Sequence, residues 1–282
     1  MIMDPGPLLD VAGLQVRFHT RTGIVEAVRG LSFQLGREKL GIVGESGSGK
    51  SMTGRAILGL VPPPGEVAAD RLAFRGQDLR GLDTRAWRAL RGRRISMVLQ
   101  DPKFSLNPVM RVGDQIAEAY RQHHRVDRRD AHARAVAMLE RVRIRDARRV
   151  YDLYPHEVSG GMGQRIMIAM MLIPEPDVII ADEPTSALDV TVQMQVLAIL
   201  DDLVAERGMG LILISHDLEL VGAFCDRVLV MYGGRVMETL RAADLPRAAH
   251  PYTRGLLGCL PRLDRPVATL PTLARDAAWM DP

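Results

Sequence analysis

The chain has 282 residues, 37 Lys plus Arg against 34 Asp plus Glu and only two cysteines, Cys225 and Cys259. That length buries a full core and suits one large α/β domain with a small appendage, while two thiols exclude a disulfide framework, a four-ligand metal site or an iron–sulfur cluster and point to a reducing compartment. The net charge of +3 is arginine-driven and no aromatic–basic interleaving accompanies it, so no nucleic-acid partner is expected. The opening MIMDPGPLLD carries acids and two prolines where a signal peptide needs a basic start and an apolar core, so export is not expected. The longest apolar run, Ile166 to Ile173, is far short of the roughly 20 residues that span a bilayer. Any membrane role is expected to pass through a partner.

From Leu8 to Leu35 the pattern alternates through Leu14, Val16 and Phe18, turns at Thr20 to Gly23 and resumes, which predicts a β-rich flap beside the glycine-rich loop at residues 44–51. Phe18 is a candidate either to stack on adenine or to fill the core. A short apolar run, Leu40 to Val43, then leads into Gly44-Glu45-Ser46-Gly47-Ser48-Gly49-Lys50-Ser51 and a helix ending near Leu60. Strand, glycine-rich loop and helix in that order make a phosphate-binding loop, whose curled backbone points N–H groups inward while the helix adds its positive end. Lys50 would reach the β- and γ-phosphates and the Ser51 hydroxyl would sit on Mg2+. Lysine is scarce here, only Lys39, Lys50 and Lys103, so its use at this point is informative.

Pro62-Pro63-Pro64-Gly65 stops the helix, and Leu72 to Phe74 and Ile95 to Leu99 read as short strands around an arginine-rich connection. The second ends at Gln100, ahead of loop chemistry that includes Ser105-Leu106-Asn107-Pro108. From Val112 to Val150 the periodicity is helical, with ten arginines against four acids between Arg121 and Arg149. That charge is read as a solvated face, with a polyanion or headgroup site as the alternative. Ser159-Gly160-Gly161-Met162-Gly163-Gln164-Arg165 opens a helix running to Ile173, a second place where backbone N–H groups can meet an anion. The apolar strand Val178 to Ala181 ends in Asp182 and Glu183, where an open α/β sheet puts its chemistry. A helix from about Val190 to Glu206 comes next, then a strand Leu211 to Ile214 ending in Ser215-His216-Asp217, and a last strand Val228 to Tyr232. Beyond Leu240 only a short helix near Thr253 to Leu260 is expected.

In this order the segments resemble the nucleotide-binding subunit of ABC transporters over roughly residues 8 to 260. GESGSGKS matches the Walker A loop, Gln100 the Q-loop, SGGMGQR the signature, VIIADEP Walker B with its adjoining glutamate, Ser186 to Asp189 the D-loop and His216 the switch histidine. The resemblance implies an α/β fold: a P-loop NTPase core sheet with an N-terminal antiparallel β subdomain and an inserted α-helical signature subdomain. It implies a cassette over 1–240, the helical part at about 101–173, and a short extension over 241–282. ATP and Mg2+ are the implied cofactors. Residues Gly44 to Ser51 would cradle the phosphates, and Ser51, Gln100 and Asp182 would serve the metal. Glu183 would polarise the attacking water and His216 would orient it. Ser159, Gly160, Gly161 and Asp189 would complete the nucleotide site of a second cassette.

QDPKFSLNPVMRVGDQI, ADEPTSALDVTVQMQVL and HPYTRGLL are similar to the peptide and nickel importer branch, with Gly163 departing from that branch's larger polar residue. This implies an import ATPase for peptides or a related small solute, peripheral on the cytoplasmic face of the inner membrane. Its implied partners are integral membrane permease subunits, a paralogous ATPase chain in a heterodimer and, indirectly, an extracytoplasmic solute-binding protein. A single-cassette soluble ATPase of a phosphonate-degrading complex is the alternative.

Overall fold

Why the N-terminal alternation folds as it does is visible in the computed structural model, which describes residues 6–99, 105–186, 188–260, 273 and 276–279. Strand β1 (Leu9–Thr20) buries Leu9, Val11, Leu14 and Val16, and turns into β2 (Gly23–Leu35) with Leu9 opposite Leu35 and Val16 opposite Val28. The hairpin bends at Gly13, whose φ of 60° fits the register shift between Val11 and Leu14. Strand β3 (Lys39–Val43) leads to helix α1 (Lys50–Ile57). Next come β4 (Gly65–Ala68), β5 (Arg71–Phe74), β6 (Gln77–Asp78), α2 (Thr84–Leu90) and β7 (Ile95–Val98). Helices α3 (Val112–Arg121), α4 (Arg128–Arg141), α5 (Ala147–Tyr151) and α6 (Gly160–Leu172) occupy the middle of the chain. Strand β8 (Val178–Asp182), helix α7 (Val190–Arg207) and β9 (Gly210–Ser215) are followed by α8 (Leu218–Phe224), β10 (Arg227–Tyr232), β11 (Arg235–Arg241) and α9 (Pro251–Gly258).

The chain divides into two compact units, Met1–Arg80 with Ile212–Pro282, and Gly81–Leu211. In the first, an antiparallel sheet runs β2-β1-β5-β6 with β4 also paired to β1, and a second sheet runs β11-β10-β3-β9. Strands β3 and β10 are parallel, and Leu40, Ile42, Val43 and Val228 to Met231 are all fully buried. Such continuous apolar runs are what a parallel strand covered on both faces requires.

In the second unit β7 and β8 are parallel, with Ile95 opposite Val178, and the Gly210 N–H at the start of β9 donates to Asp177 O at 2.9 Å. Helices α3 to α6 pack through Val112, Ile116 and Tyr120 on α3 and Ala131, Ala135 and Leu139 on α4. Side-chain caps set where these helices start. Asp127 accepts from Asp130 N at 2.8 Å, Ser159 from Met162 N at 3.4 Å and Asp189 from Val192 N at 3.0 Å. The α/β class, the antiparallel N-terminal sheet and the inserted helices are as expected.

Several elements differ from the sequence expectation. The arginine-rich connection before β7 contains β6 and helix α2, which Asp83 caps by accepting from Ala86 N at 2.7 Å. The helical stretch from Val112 to Val150 is three helices, broken by residues 122–127 and 142–146, where Arg143 and Asp146 take φ of 59° and 52°. Periodicity carries on across such a break, because only the caps and left-handed residues mark it. Val228 to Tyr232 is not the last strand: β11 returns antiparallel through Gly233 and Gly234, both at positive φ. Its residues are only half-buried and mostly polar, which hides the alternation. Helix α8 is a further addition, being seven residues long and started by the Asp217 cap. The final helix begins at Pro251 and ends at Gly258, slightly earlier than the residues 253–260 expected.

Helix α3 approaches α5 at Gly113, where an added Cβ would sit 2.1 Å from the Tyr151 ring, while Tyr151 Oη donates to Asp114 Oδ1 at 3.0 Å. Gly113→Ala is therefore expected to destabilise the chain by about 1–3 kcal/mol through overpacking. Gly160→Ala, with open space around the added carbon, should stay within about 0.5 kcal/mol. Urea unfolding of both variants checks the contrast.

Candidate nucleotide site

The loop between β3 and α1 has a shape that only glycine permits at its turning points. Gly44, Gly47 and Gly49 take φ of 153°, 80° and 97°. A Cβ on Gly44 would lie 2.1 Å from Met231 O, and one on Gly49 2.3 Å from Ala27 O, so the loop backbone runs directly against β10 and β2. This is the flap expected beside the loop. Gly47 faces open space instead, with nothing within 4 Å of an added Cβ. The loop is closed by Ser48 N–H donating to Glu45 O at 3.2 Å, and α1 begins with Thr53 N–H donating to Gly49 O at 2.9 Å.

Lys50 is 5% exposed, and its Nζ donates to Gly44 O at 2.7 Å and Glu45 O at 2.8 Å, with Ser48 Oγ at 3.4 Å. The ammonium thus sits inside the curl of the loop, where two carbonyl dipoles and a hydroxyl face it. A positive charge held this way, beside backbone N–H groups and at a helix start, is a built receptor for phosphate oxygens. The cradle fits a nucleotide polyphosphate.

The loop is fastened from behind. Gly234 N–H donates to Ser48 O at 3.1 Å, and Arg29 N–H donates to Gly234 O at 2.8 Å. Glu45 N–H donates to Tyr252 Oη at 3.2 Å. Tyr252 is fully buried, with its ring 4.8 Å from that of Tyr232 and 5.6 Å from that of Trp279. Helix α9 presents it, starting at a His250 cap whose Nδ1 accepts from Tyr252 N–H at 3.1 Å. His216 is exposed just after β9, in a turn where Asp217 N–H donates to Ser215 Oγ at 3.0 Å and Asp217 then caps α8. Phe18 is half-buried near the hairpin end, opposite Gly65, whose absent Cβ would crowd the ring at 2.7 Å. It therefore packs an edge against the chain and keeps part of its ring accessible.

In the second unit Asp182 is the buried last residue of β8, and Glu183 is half-buried in the left-handed region at φ 46°. A non-glycine residue there stores on the order of 1 kcal/mol, and the turn is held by Ser186 N–H and Oγ, both 3.3 Å from Glu183 O. The kink takes Glu183 off the strand's alternation, so adjacent carboxylates need not point to opposite faces of the sheet. Ser159 caps α6, Gly160 is exposed, and a Cβ on Gly161 would meet Val192 Cγ1 at 2.7 Å. That close approach brings the start of α6 to the start of α7, where Asp189 is the cap. Gln100 and Ala187 lie outside the described residues. Among the thiols, Cys225 is buried, and burial pushes it up to about 12, far from reactive.

A family model for ABC transporters matches residues 28–186. The chain belongs to the ABC transporter family. It is an ATP-binding cassette ATPase. It is 48% identical over 271 residues, 95% of this chain and 81% of the relative, to a putative peptide import ATP-binding protein of Brucella abortus. It is 47% identical over 268 residues, 94% of this chain and 79% of the relative, to the oligopeptide transport ATP-binding protein OppD of Escherichia coli. Among solved structures, a dimeric ATP-binding cassette in a post-hydrolysis state with ADP and Pi is similar at a TM-score of 0.72 and 25% identity, covering 83% of this chain and 98% of that one.

Tyr252 is the contact to this loop that sequence reasoning missed. HPYTRGLL was informative only as a likeness, and the signal available was a proline at the first helical position behind a histidine cap. Tyr252→Phe removes an oxygen that accepts from Glu45 N–H and leaves the ring in place. A loss of about 1 kcal/mol of loop positioning, roughly fivefold in affinity for an ATP analogue, is expected in a fluorescence titration. Unchanged affinity would mean that the hydroxyl merely fills space.

Proposed function

We propose that this cassette is the ATP-hydrolysing subunit of an importer for peptides, peripheral on the cytoplasmic side of its membrane. The observation that carries this is the 47% identity to an oligopeptide transport ATPase along 94% of the chain. The permease subunits would take up the motion, and a paralogous cassette would complete each nucleotide site through residues equivalent to Ser159, Gly160, Gly161 and Asp189. An external binding protein would deliver the solute.

The roles divide by chemistry. The Gly44 to Gly49 amides and Lys50 bind the phosphates, and Phe18 offers the accessible part of its ring to the base. Ser51, Asp182 and Gln100 are hard oxygen donors of the kind Mg2+ takes, and the metal would add positive charge where it develops on the transferring phosphoryl group. Glu183 accepts a proton from the attacking water or polarises it, and His216 orients that water toward the γ-phosphate. Because the γ-phosphate bridges the two cassettes, its loss releases them, and that opening drives the permease.

Lys50→Ala should lose ATP binding. Glu183→Gln should keep binding but lose turnover by about a hundredfold or more. His216→Ala should likewise bind and turn over slowly. In vesicles with the cognate permease, labelled peptide uptake should follow ATP hydrolysis across these variants. Near-normal turnover in Glu183→Gln, or uptake indifferent to Lys50→Ala, would sink the assignment. The same Glu183→Gln chain should dimerise with ATP and Mg2+ only when the paralogue is added; a stable dimer formed alone would replace the heterodimer by a homodimer.

A further inference from the structure

A cleft of about 540 Å³ opens in the second unit between the α4–α5 connection and the outer side of α6 and α7. Its wall carries Arg143, Arg145, Arg149 and Arg165 beside Met162 and Gln195, and no carboxylate lines it among the described residues. Part of the run of charge that reads in sequence as a solvated face lines, at these positions, a concave surface. Neither the phosphate loop nor Ser159, Gly160 or Gly161 contributes to it.

How each guanidinium is engaged shows what the cleft lacks. Arg143 pairs with Asp202 at 2.7 Å and Arg149 with Asp146 at 3.2 Å, but all four side chains are at least half exposed, so these pairs are weak and exchangeable. Arg145 has no partner among the described residues. Arg165 is part-buried, donating from Nε to Gly161 O at 3.2 Å and from Nη1 to Arg143 O at 3.0 Å. Burial lowers its proton affinity, and no carboxylate compensates it. The backbone geometry is specific as well, since Arg143 and Asp146 both sit at positive φ, and this turns the connection back toward α6.

We propose that this cleft binds a small multivalent phosphate anion, held by Arg143, Arg145, Arg149 and Arg165. Guanidinium is the side chain that recognises phosphate oxygens in pairs, and here the pairs of Arg143 and Arg149 with Asp202 and Asp146 are exposed and exchangeable while Arg165 is partly desolvated, so a phosphate anion supplies the partner that the cleft wall lacks. The volume suits a small organic phosphate or a lipid headgroup, which share this chemistry. Because Arg165 also holds Gly161 O, an occupant drawing on its guanidinium ties the α4–α5 connection to the signature helix. The site is independent of the peptide-import assignment and would stand without it.

The test uses the full chain saturated with Mg2+ and ADP, so that the phosphate loop is filled, and titrates it with pyrophosphate in a calorimeter. One pyrophosphate should bind per chain, with Arg145→Glu plus Arg149→Glu weakening it about tenfold or more. Arg128→Glu plus Arg129→Glu, the same charge change on the exposed face of α4, should alter it by less than about twofold. Arg145→Gln plus Arg149→Gln should weaken binding in the same direction if the charge reversals fail to fold. A parallel flotation assay with phosphatidylglycerol vesicles in phosphatidylcholine separates the sources. Binding to those vesicles without pyrophosphate binding, lost only in the cleft variants, assigns the site to a headgroup. Binding to neither probe, or equal loss in cleft and control variants, overturns the site.

Discussion

Everything in the first unit answers to one buried ammonium. Lys50 Nζ needs acceptors, and the carbonyls that supply them, Gly44 and Glu45, point inward only because the loop curls through left-handed glycines. The curl in turn needs backing, since its backbone runs within contact of Ala27 O and Met231 O. Strand β2, strand β10 and the buried Tyr252 supply that backing. The receptor is thus built from its own chain, with its charge held inward by the carbonyls of its own loop. Backing of this kind limits the freedom that the loop has to lose on binding.

The second unit solves a different problem, which is to begin helices and turns at defined points on otherwise regular elements. Asp83, Asp127, Ser159 and Asp189 each turn a side-chain oxygen back onto an amide at the third residue on, so that two of the residues assigned to the nucleotide dimer are also helix caps. Ser159 and Asp189 then have a structural duty that fixes where their backbones lie. Glu183 is held differently, by a strained turn whose carbonyl collects two bonds from Ser186. A carboxylate placed by strain is placed accurately, because relaxing the turn would have to break those bonds.

Legibility from the residues alone divides along the same line. The phosphate loop, the Asp182–Glu183 strand end, the signature start and His216 are each a short motif whose chemistry demands neighbours in sequence, and each stands where the spacing put it. Helix α8 and strand β11 were not legible, since seven residues and a half-polar strand leave too little periodicity to detect. The split of the central helical stretch was hidden because an apolar pattern runs across a break that only Arg143 and Asp146, in the left-handed region, reveal. Tyr252 was out of reach for another reason: its partner is 207 positions away, and nothing local says that a hydroxyl on α9 will meet the phosphate loop.

The balance of Arg over Lys ties these threads together. Almost all of the chain's cations are guanidinium groups, and many of those described meet carboxylates at or near the surface: Arg17 with Glu26, Arg80 with Asp78, Arg94 with Asp177, Arg227 with Glu38. Such pairs contribute little each, but they leave the surface charge locally compensated. Inside the phosphate loop a fork of five donors would not be served by two carbonyls and a hydroxyl, whereas a compact ammonium is. Lys50 is therefore an exception that geometry requires. The Arg143 to Arg165 cleft is the opposite exception: four guanidinium groups share one wall, two of them held only by exposed pairs with Asp202 and Asp146, and none of the described residues lining the cleft is a carboxylate.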